Sequence, residues 1–364
     1  MNPRHLYVHV PFCRRRCSYC DFSIAVRRVV PVGRFVAAVA AEHRRVAAEA
    51  GTLSTLYLGG GTPSLLGAEG VTALARALGV APGLDEFTLE ANPEDVTPEA
   101  AAAWVRAGVN RLSLGAQSFD PHVLRWMHRT HDADAIASAV AAARREGVPN
   151  VSLDLIFALP EALRRDLDAD LDRALALEPD HVSLYGLTVE PDTPLGKRVA
   201  RGEATPAPDA KYEEEYLAVV GRLTADGFRF YEVSNAARPG FEAVHNRAYW
   251  RLAPYLGLGP SAHSFDGTSR WWNEAAFARW LARVEAGTAP VAGREILRPE
   301  QARLEELYLG LRTAAGIPVP EPPDGRLAAA IAGWVGAGWA AVDGGRLTLT
   351  PRGWLRLDEL AASL

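Results

Sequence analysis

Tyr7-Val-His-Val-Pro-Phe-Cys13-Arg-Arg-Arg-Cys17-Ser-Tyr19-Cys20-Asp-Phe22 contains every cysteine of this 364-residue chain. An apolar run ends at Pro11, and three thiols follow within eight residues. A four-iron cluster normally takes four thiolates, so three leave one iron free for a ligand that is not protein. Structural disulfides come in pairs, and an odd cysteine count confined to one loop offers no framework to staple. Zinc held by the three thiolates and His9 is the competing reading. Structural zinc sites usually pair two separated ligand knuckles, whereas here all the thiolates share one loop.

Outward from this loop the chain alternates. Short β-type runs at 6–10, 55–58, 86–91, 110–114, 151–157 and 181–185 are separated by Ala-rich amphipathic stretches. The intervening helices are expected at 33–50, 68–78, 98–107, 133–146 and 164–177, several entered through Thr or Asp caps. This is the pattern of repeated βα units on a parallel sheet. Six units fall short of the eight that close a barrel, so the expected fold is α/β, a partial (β/α)6 TIM-like barrel. Gly59-Gly-Gly-Thr62, Glu90, Gln117 and Asp154 fall in or just after successive strands, where such folds collect ligands.

Beyond residue 188 the regularity breaks. Prolines punctuate an extended run, a helix is expected over 210–226, and aromatic residues cluster around Tyr249-Trp250 and Trp271-Trp272. We read 1–188 as the barrel core, 189–298 as a sheet extension or lid, and 299–364 as a small C-terminal α+β unit. In that unit, helices over 300–313 and 325–337 precede two alternating runs joined by Asp343-Gly-Gly345, a hairpin signature. The order resembles a winged helix.

Net charge is −5, from 39 basic and 44 acidic residues. No global field therefore recruits nucleic acid or an anionic membrane, and the C-terminal unit reads as a packing or docking module rather than a DNA reader. Hydrophobic residues make up 48% and charged residues 23%, ordinary for a folded globular chain. The N-terminus lacks the pattern of a signal peptide, and no apolar run is long enough to span a bilayer, so a cytoplasmic protein without an integral membrane segment is expected.

The cysteine loop resembles that of the radical S-adenosylmethionine (SAM) enzymes. The resemblance implies a [4Fe-4S] cluster on Cys13, Cys17 and Cys20, with SAM bound through its methionine end at the open iron and cleaved, when turnover occurs, to a 5′-deoxyadenosyl radical. It further implies cofactor contacts from Tyr7, from Tyr19 beside the last thiolate, and from the glycine motif at Gly60, Gly61 and Thr62. Glycine lets backbone approach a zwitterionic ligand closely, although a plain strand-to-helix turn needs the same residues. Glu90, Gln117, Arg129 and Asp154 match further cofactor positions of the coproporphyrinogen oxidase-like branch. Taken singly, each also reads as a surface ion or a turn cap. Arg14, Arg15 and Arg16 are either a solvated face or a landing patch for an acidic, flavodoxin-like electron donor.

Within the branch, the anaerobic coproporphyrinogen III oxidases carry a fourth cysteine where this chain has Phe22, and a long extension before the loop. His245-Asn-Arg-Ala-Tyr249-Trp250, with Tyr255-Leu-Gly-Leu-Gly-Pro-Ser-Ala-His263, is instead similar to the HemW-type heme chaperones. That resemblance implies heme binding near His245, Tyr249 and Trp250, with His263 the rival ligand, and transfer of heme to an acceptor protein. Imidazole is a competent axial ligand, and Tyr and Trp supply planar apolar surface for a porphyrin. A histidine among aromatic residues is, on composition alone, more often a hydrogen-bonded core residue. The alternative function is oxygen-independent oxidative decarboxylation of coproporphyrinogen III, and no catalytic residue is assigned.

Overall fold

The computed structural model describes residues 3–46, 52–81, 83–320 and 325–363. Six parallel strands follow the expected order: β1 (His5–Val10), β2 (Thr55–Gly60), β3 (Glu86–Ala91), β4 (Arg111–Gln117), β5 (Asn150–Phe157) and β6 (His181–Gly186). Along each strand the faces alternate with period two. Leu6, Val8 and Val10, Leu56 and Leu58, Phe87 and Leu89, and Leu112 and Leu114 are all buried in one apolar core with helix residues such as Phe35, Val71, Leu74 and Trp104. The alternate positions carry His5, Tyr7, His9, Tyr57, Glu86, Glu90, Arg111, Ser113 and Asp154. Both faces are covered, one by hydrocarbon and the other by polar and aromatic groups.

The connecting helices lie near their expected places, at Val32–Val46, Gly67–Ala77, Pro98–Arg106, Ala133–Arg145 and Leu167–Leu175. The expected end of the first, 47–50, lies outside the described residues. The fifth begins three residues later than expected. Arg164 takes a left-handed conformation after a short 3-10 turn, and Asp166 then caps the helix by accepting from the Ala169 N–H. Thr97 and Asp132 cap the third and fourth helices in the same way, and Asp120 caps a short additional helix, Pro121–Trp126.

The sheet continues past both ends of the six strands. Beside β6 lies β8 (Asn235–Ala237), antiparallel to it, and then β7 (Arg229–Glu232), antiparallel to β8. Beside β1 lies β9 (Tyr255–Leu258), parallel to it in the register His5 to Tyr255 and Val8 to Leu258. β10 (His263–Phe265), β11 (Ser269–Asn273) and β12 (Val291–Ile296) then continue antiparallel. The result is one open twelve-stranded sheet, a partial barrel with β7 and β12 at its edges.

Glu42, from the first helix, pins this extension. Its buried carboxylate accepts from the Gly259 N–H at 2.9 Å, the Trp280 indole at 3.0 Å and the Asn273 amide. Burial raises its pKa to about 7 despite these three donors. Because the folded-state value exceeds the unfolded one, Glu42 stabilises most below pH ~4.5, and that contribution declines as pH rises through ~7. Glu42→Gln is therefore expected to flatten the pH dependence, with the stability difference from wild type changing by roughly 2–3 kcal/mol between pH 5 and 8 in urea titrations.

The C-terminal unit begins with the helix Pro299–Arg312 and contains a three-stranded sheet of Ile317–Pro318, Ala340–Asp343 and Arg346–Leu349. The expected hairpin forms with Asp343 opposite Arg346. Gly344 and Gly345 both have positive φ, as a type I′ turn requires. The unit joins the sheet edge through the Val233 N–H donating to the Arg312 carbonyl and the Ala314 N–H to the Tyr231 carbonyl. Arg312 also pairs with the fully buried Glu232 at 2.8 Å.

Candidate functional site

At the C-terminal ends of the parallel strands, a cavity of about 450 Å³ is lined by Cys13, Cys17 and Cys20 together with Tyr19, Gly60, Gly61, Thr62, Glu90, Gln117, Arg129 and Asp154. Strand direction places them there, since each βα turn opens on the same end of the sheet. Tyr7 is absent from this wall. It faces the neighbouring cavity, and its hydroxyl meets His9 Nδ1 at 3.1 Å.

Cys13 is buried, with its sulfur 3.4 Å from the Thr62 hydroxyl, and burial raises its thiol pKa to about 11. Burial raises Cys20 as well. Thiols held up in this way are poor nucleophiles, and a metal must displace their protons before they ligate. His9 does not complete a zinc site. Its Nδ1 meets Tyr7 and its Nε2 meets the Ser23 carbonyl at 3.0 Å. Among the described residues, no three His, Cys, Asp or Glu side chains converge as ligands of a single ion.

Arg129 bridges the cysteine loop and the strands. It donates to Asn92 Oδ1 and the Gly115 carbonyl, both at 2.7 Å, and to the Cys17 sulfur at 3.7 Å. Its Nε is buried without a partner, a donor left over for a ligand. Glu90 accepts from the Tyr57 hydroxyl at 2.8 Å and the Gly60 N–H at 3.0 Å; burial, with Asp154 nearby, raises its pKa to about 7. Asp154 accepts from Ser113 at 3.0 Å, and burial raises it to about 6. Gln117 sits at a register shift with φ +67, a left-handed position rare for glutamine.

The glycine motif serves the loop directly. A Cβ at Gly60 would lie 2.7 Å from the His9 ring, and one at Gly61 would lie 2.8 Å from the Phe12 carbonyl oxygen. These glycines let the cysteine loop lie down on β2. The arginine run is likewise engaged: Arg14 pairs with Asp95 at 2.7 Å, Arg15 donates to the Arg129 carbonyl, and Arg16 to the Cys20 carbonyl.

A second cavity, about 820 Å³, adjoins the first and shares Gly60, Glu90 and Phe22 with it. Tyr249, Trp250, Tyr255, Phe265 and Trp272 supply aromatic walls, with His263 and Arg270 among them. His263 is exposed, its ring stacked on Trp272 at 5.8 Å. His245 is fully buried. Its Nδ1 meets the Thr55 hydroxyl at 2.7 Å and its Nε2 the Tyr249 hydroxyl at 2.8 Å, and burial lowers its pKa to about 3. With both nitrogens engaged, His245 orients Tyr249 and lies behind the wall of the aromatic cavity rather than in it. Asn92, Gly115, Ser113, Tyr57 and Arg270 escaped the sequence reading; strand alternation is the signal that points to Tyr57 and Ser113.

The partial barrel and its cysteine loop together define the class of radical SAM proteins. The model of the Radical SAM superfamily matches residues 7–174. Over its whole length the chain is 40% identical to the heme chaperone HemW of Mycobacterium tuberculosis, covering 95% of that protein. It is 34% identical to HemW of Bacillus subtilis, across 85% of this chain and 84% of the relative. Among solved structures, the coproporphyrinogen III oxidase HemN of Escherichia coli superposes with a TM-score of 0.83 at 22% identity, over 100% of this chain and 90% of that one, a likeness of fold. The chain belongs to the HemW family of radical SAM proteins.

Its cofactors are accordingly a [4Fe-4S] cluster and SAM, and the donor set fits them. Three thiols on one loop open on the same cavity as the Glu90 and Asp154 carboxyl groups and the Arg129 guanidinium, whose Nε is unpaired. When bound, the cluster supplies an open iron and one-electron chemistry. Among the described residues, no helix is long and apolar enough to cross a membrane.

Proposed function

We propose that this chain is a cytoplasmic heme chaperone that holds heme in the aromatic cavity and passes it to an acceptor protein. The observation that carries the reading is the aromatic cavity itself, which adjoins the cysteine cavity and presents an exposed imidazole, His263. The relatives bear the same name.

Cys13, Cys17 and Cys20 ligate the cluster. Arg129 and the backbone of Gly60 to Thr62 receive the carboxylate end of SAM, Glu90, Gln117 and Asp154 its amino and ribose groups, and Tyr19 its adenine. In the second cavity Tyr249 and Trp250 would pack against the porphyrin, and His263 would supply a nitrogen ligand to its iron. Arg15 and Arg16, steering through charge, form the approach for an acidic electron donor.

Titrating hemin into the cluster-loaded protein tests this. Wild type is expected to bind saturably with the visible spectrum of an imidazole complex. His263→Ala is expected to lose that spectrum and bind about tenfold more weakly. His245→Ala is expected to keep the spectrum while losing about 2 kcal/mol of stability, because Thr55 and Tyr249 lose a buried partner. Conversion of coproporphyrinogen III, with no hemin binding, would overturn the reading.

A further inference from the structure

Arg270 stands in the wall between two cavities. One is the aromatic cavity; the other, about 430 Å³, lies against the C-terminal unit and is lined by Leu304, Glu305, Tyr308 and Asp358. Arg270 and Leu309 line both. Among the described residues, Arg270 is the one arginine or lysine lining the aromatic cavity, where Glu90 and Glu295 are the acidic groups.

In this structure the guanidinium is already occupied. It grips Glu305, from the helix Pro299–Arg312, with two parallel bonds of 2.8 and 3.1 Å, and touches Glu295 at 3.4 Å. Both partners of the Glu305 pair are only partly exposed. Arg270 also lies 5.6 Å from the centre of the Phe265 ring, so its charge is presented beside an aromatic wall.

Resting on the heme reading above, we infer that Arg270 anchors a porphyrin carboxylate, and that this carboxylate takes the place of Glu305. The exchange is like for like. A carboxylate carried into an aromatic cavity needs a hydrogen-bonded cation, and the guanidinium fork accepts one carboxylate in the two-bond geometry. A third carboxylate added beside Glu295 and Glu305 brings like charges together around one cation, so one must leave. Glu295 makes the longer single contact, but Glu305 holds the two-bond face the ligand requires.

Loading thus removes a tie between the sheet and the C-terminal unit, while Arg312 to Glu232 and Arg352 and Arg356 to Glu213 hold elsewhere. The ligand class is a tetrapyrrole with free carboxylates, and the helix bearing Glu305 reports its arrival.

Affinities of hemin and hemin dimethyl ester for the full, cluster-loaded chain test the inference. Wild type is expected to bind hemin at least tenfold more tightly than the ester. Arg270→Gln is expected to abolish that preference. Glu305→Gln, which keeps the arginine and removes its competitor, is expected to tighten hemin several-fold and leave the ester unchanged. Hydrogen exchange over 299–309 is expected to quicken with hemin and not with the ester. Equal affinity of acid and ester in wild type, or hemin affinity unmoved by Glu305→Gln, overturns the inference and leaves the chaperone reading standing. Failure of wild type to bind either porphyrin overturns both.

Discussion

Cys17→Ser is expected to purify colourless, with iron and sulfide reduced to trace amounts, while its far-ultraviolet circular dichroism matches that of wild type. The expectation follows from where the residue lies. Cys17 is half-buried on the loop between β1 and the first helix and belongs to neither apolar cluster, so its loss removes no core packing. It is, however, one of only three thiols. Serine's hydroxyl, far less acidic than a thiol, is a poor ligand for iron, and two thiolates do not hold a four-iron cluster. SAM binding should disappear with the iron, since its methionine end loses the open site. Retention of near-wild-type iron would mean that a residue outside the loop ligates the cluster.

Gly61→Ala carries the second large effect, and it acts through backbone. The added methyl would sit 2.8 Å from the Phe12 carbonyl oxygen and 2.9 Å from the Pro11 carbonyl carbon. Neither neighbour is the end of a flexible side chain, and Phe12 immediately precedes Cys13. Relief requires the strand and the first thiol to move apart. Urea unfolding of the apo-protein should show a loss of roughly 2–3 kcal/mol. Iron reconstitution should fall in parallel, because displacing Cys13 spoils the ligand set. Gly33→Ala is the control: no atom lies within 4 Å of its added Cβ, and it sits in the helix Val32–Val46, so its effect should stay within about 1 kcal/mol. Equal effects at both positions would show that the close approach of Pro11 and Phe12 does not govern Gly61.

The two variants probe different kinds of information. Cys17 was legible from spacing alone, as were the six parallel strands and most of their helices, because ligand loops, caps and periodicity are written in neighbouring residues. The reason for Gly61 was legible only in part. Its sequence context marks a turn, but the atoms that forbid a side chain belong to Pro11 and Phe12, fifty residues earlier. Gln117 and Asp154 emerged from a motif match; Tyr57 and Ser113, which hold Glu90 and Asp154, sit on the same inward faces but belong to no motif.

Neighbouring residues were enough to set the class of fold, the cysteine loop and the end of the sheet where ligands gather. The folded arrangement was needed to see that 255–258 lies parallel beside β1, bringing aromatic residues from beyond 240 against the cysteine cavity. It was needed as well to see that His245 is enclosed while His263 is open, that Tyr7 faces the aromatic cavity, and that Arg270 is held by Glu305. Each is set by pairing across the sheet between segments distant in sequence. A residue's local pattern reports which face it occupies, but not which distant partner will cover that face.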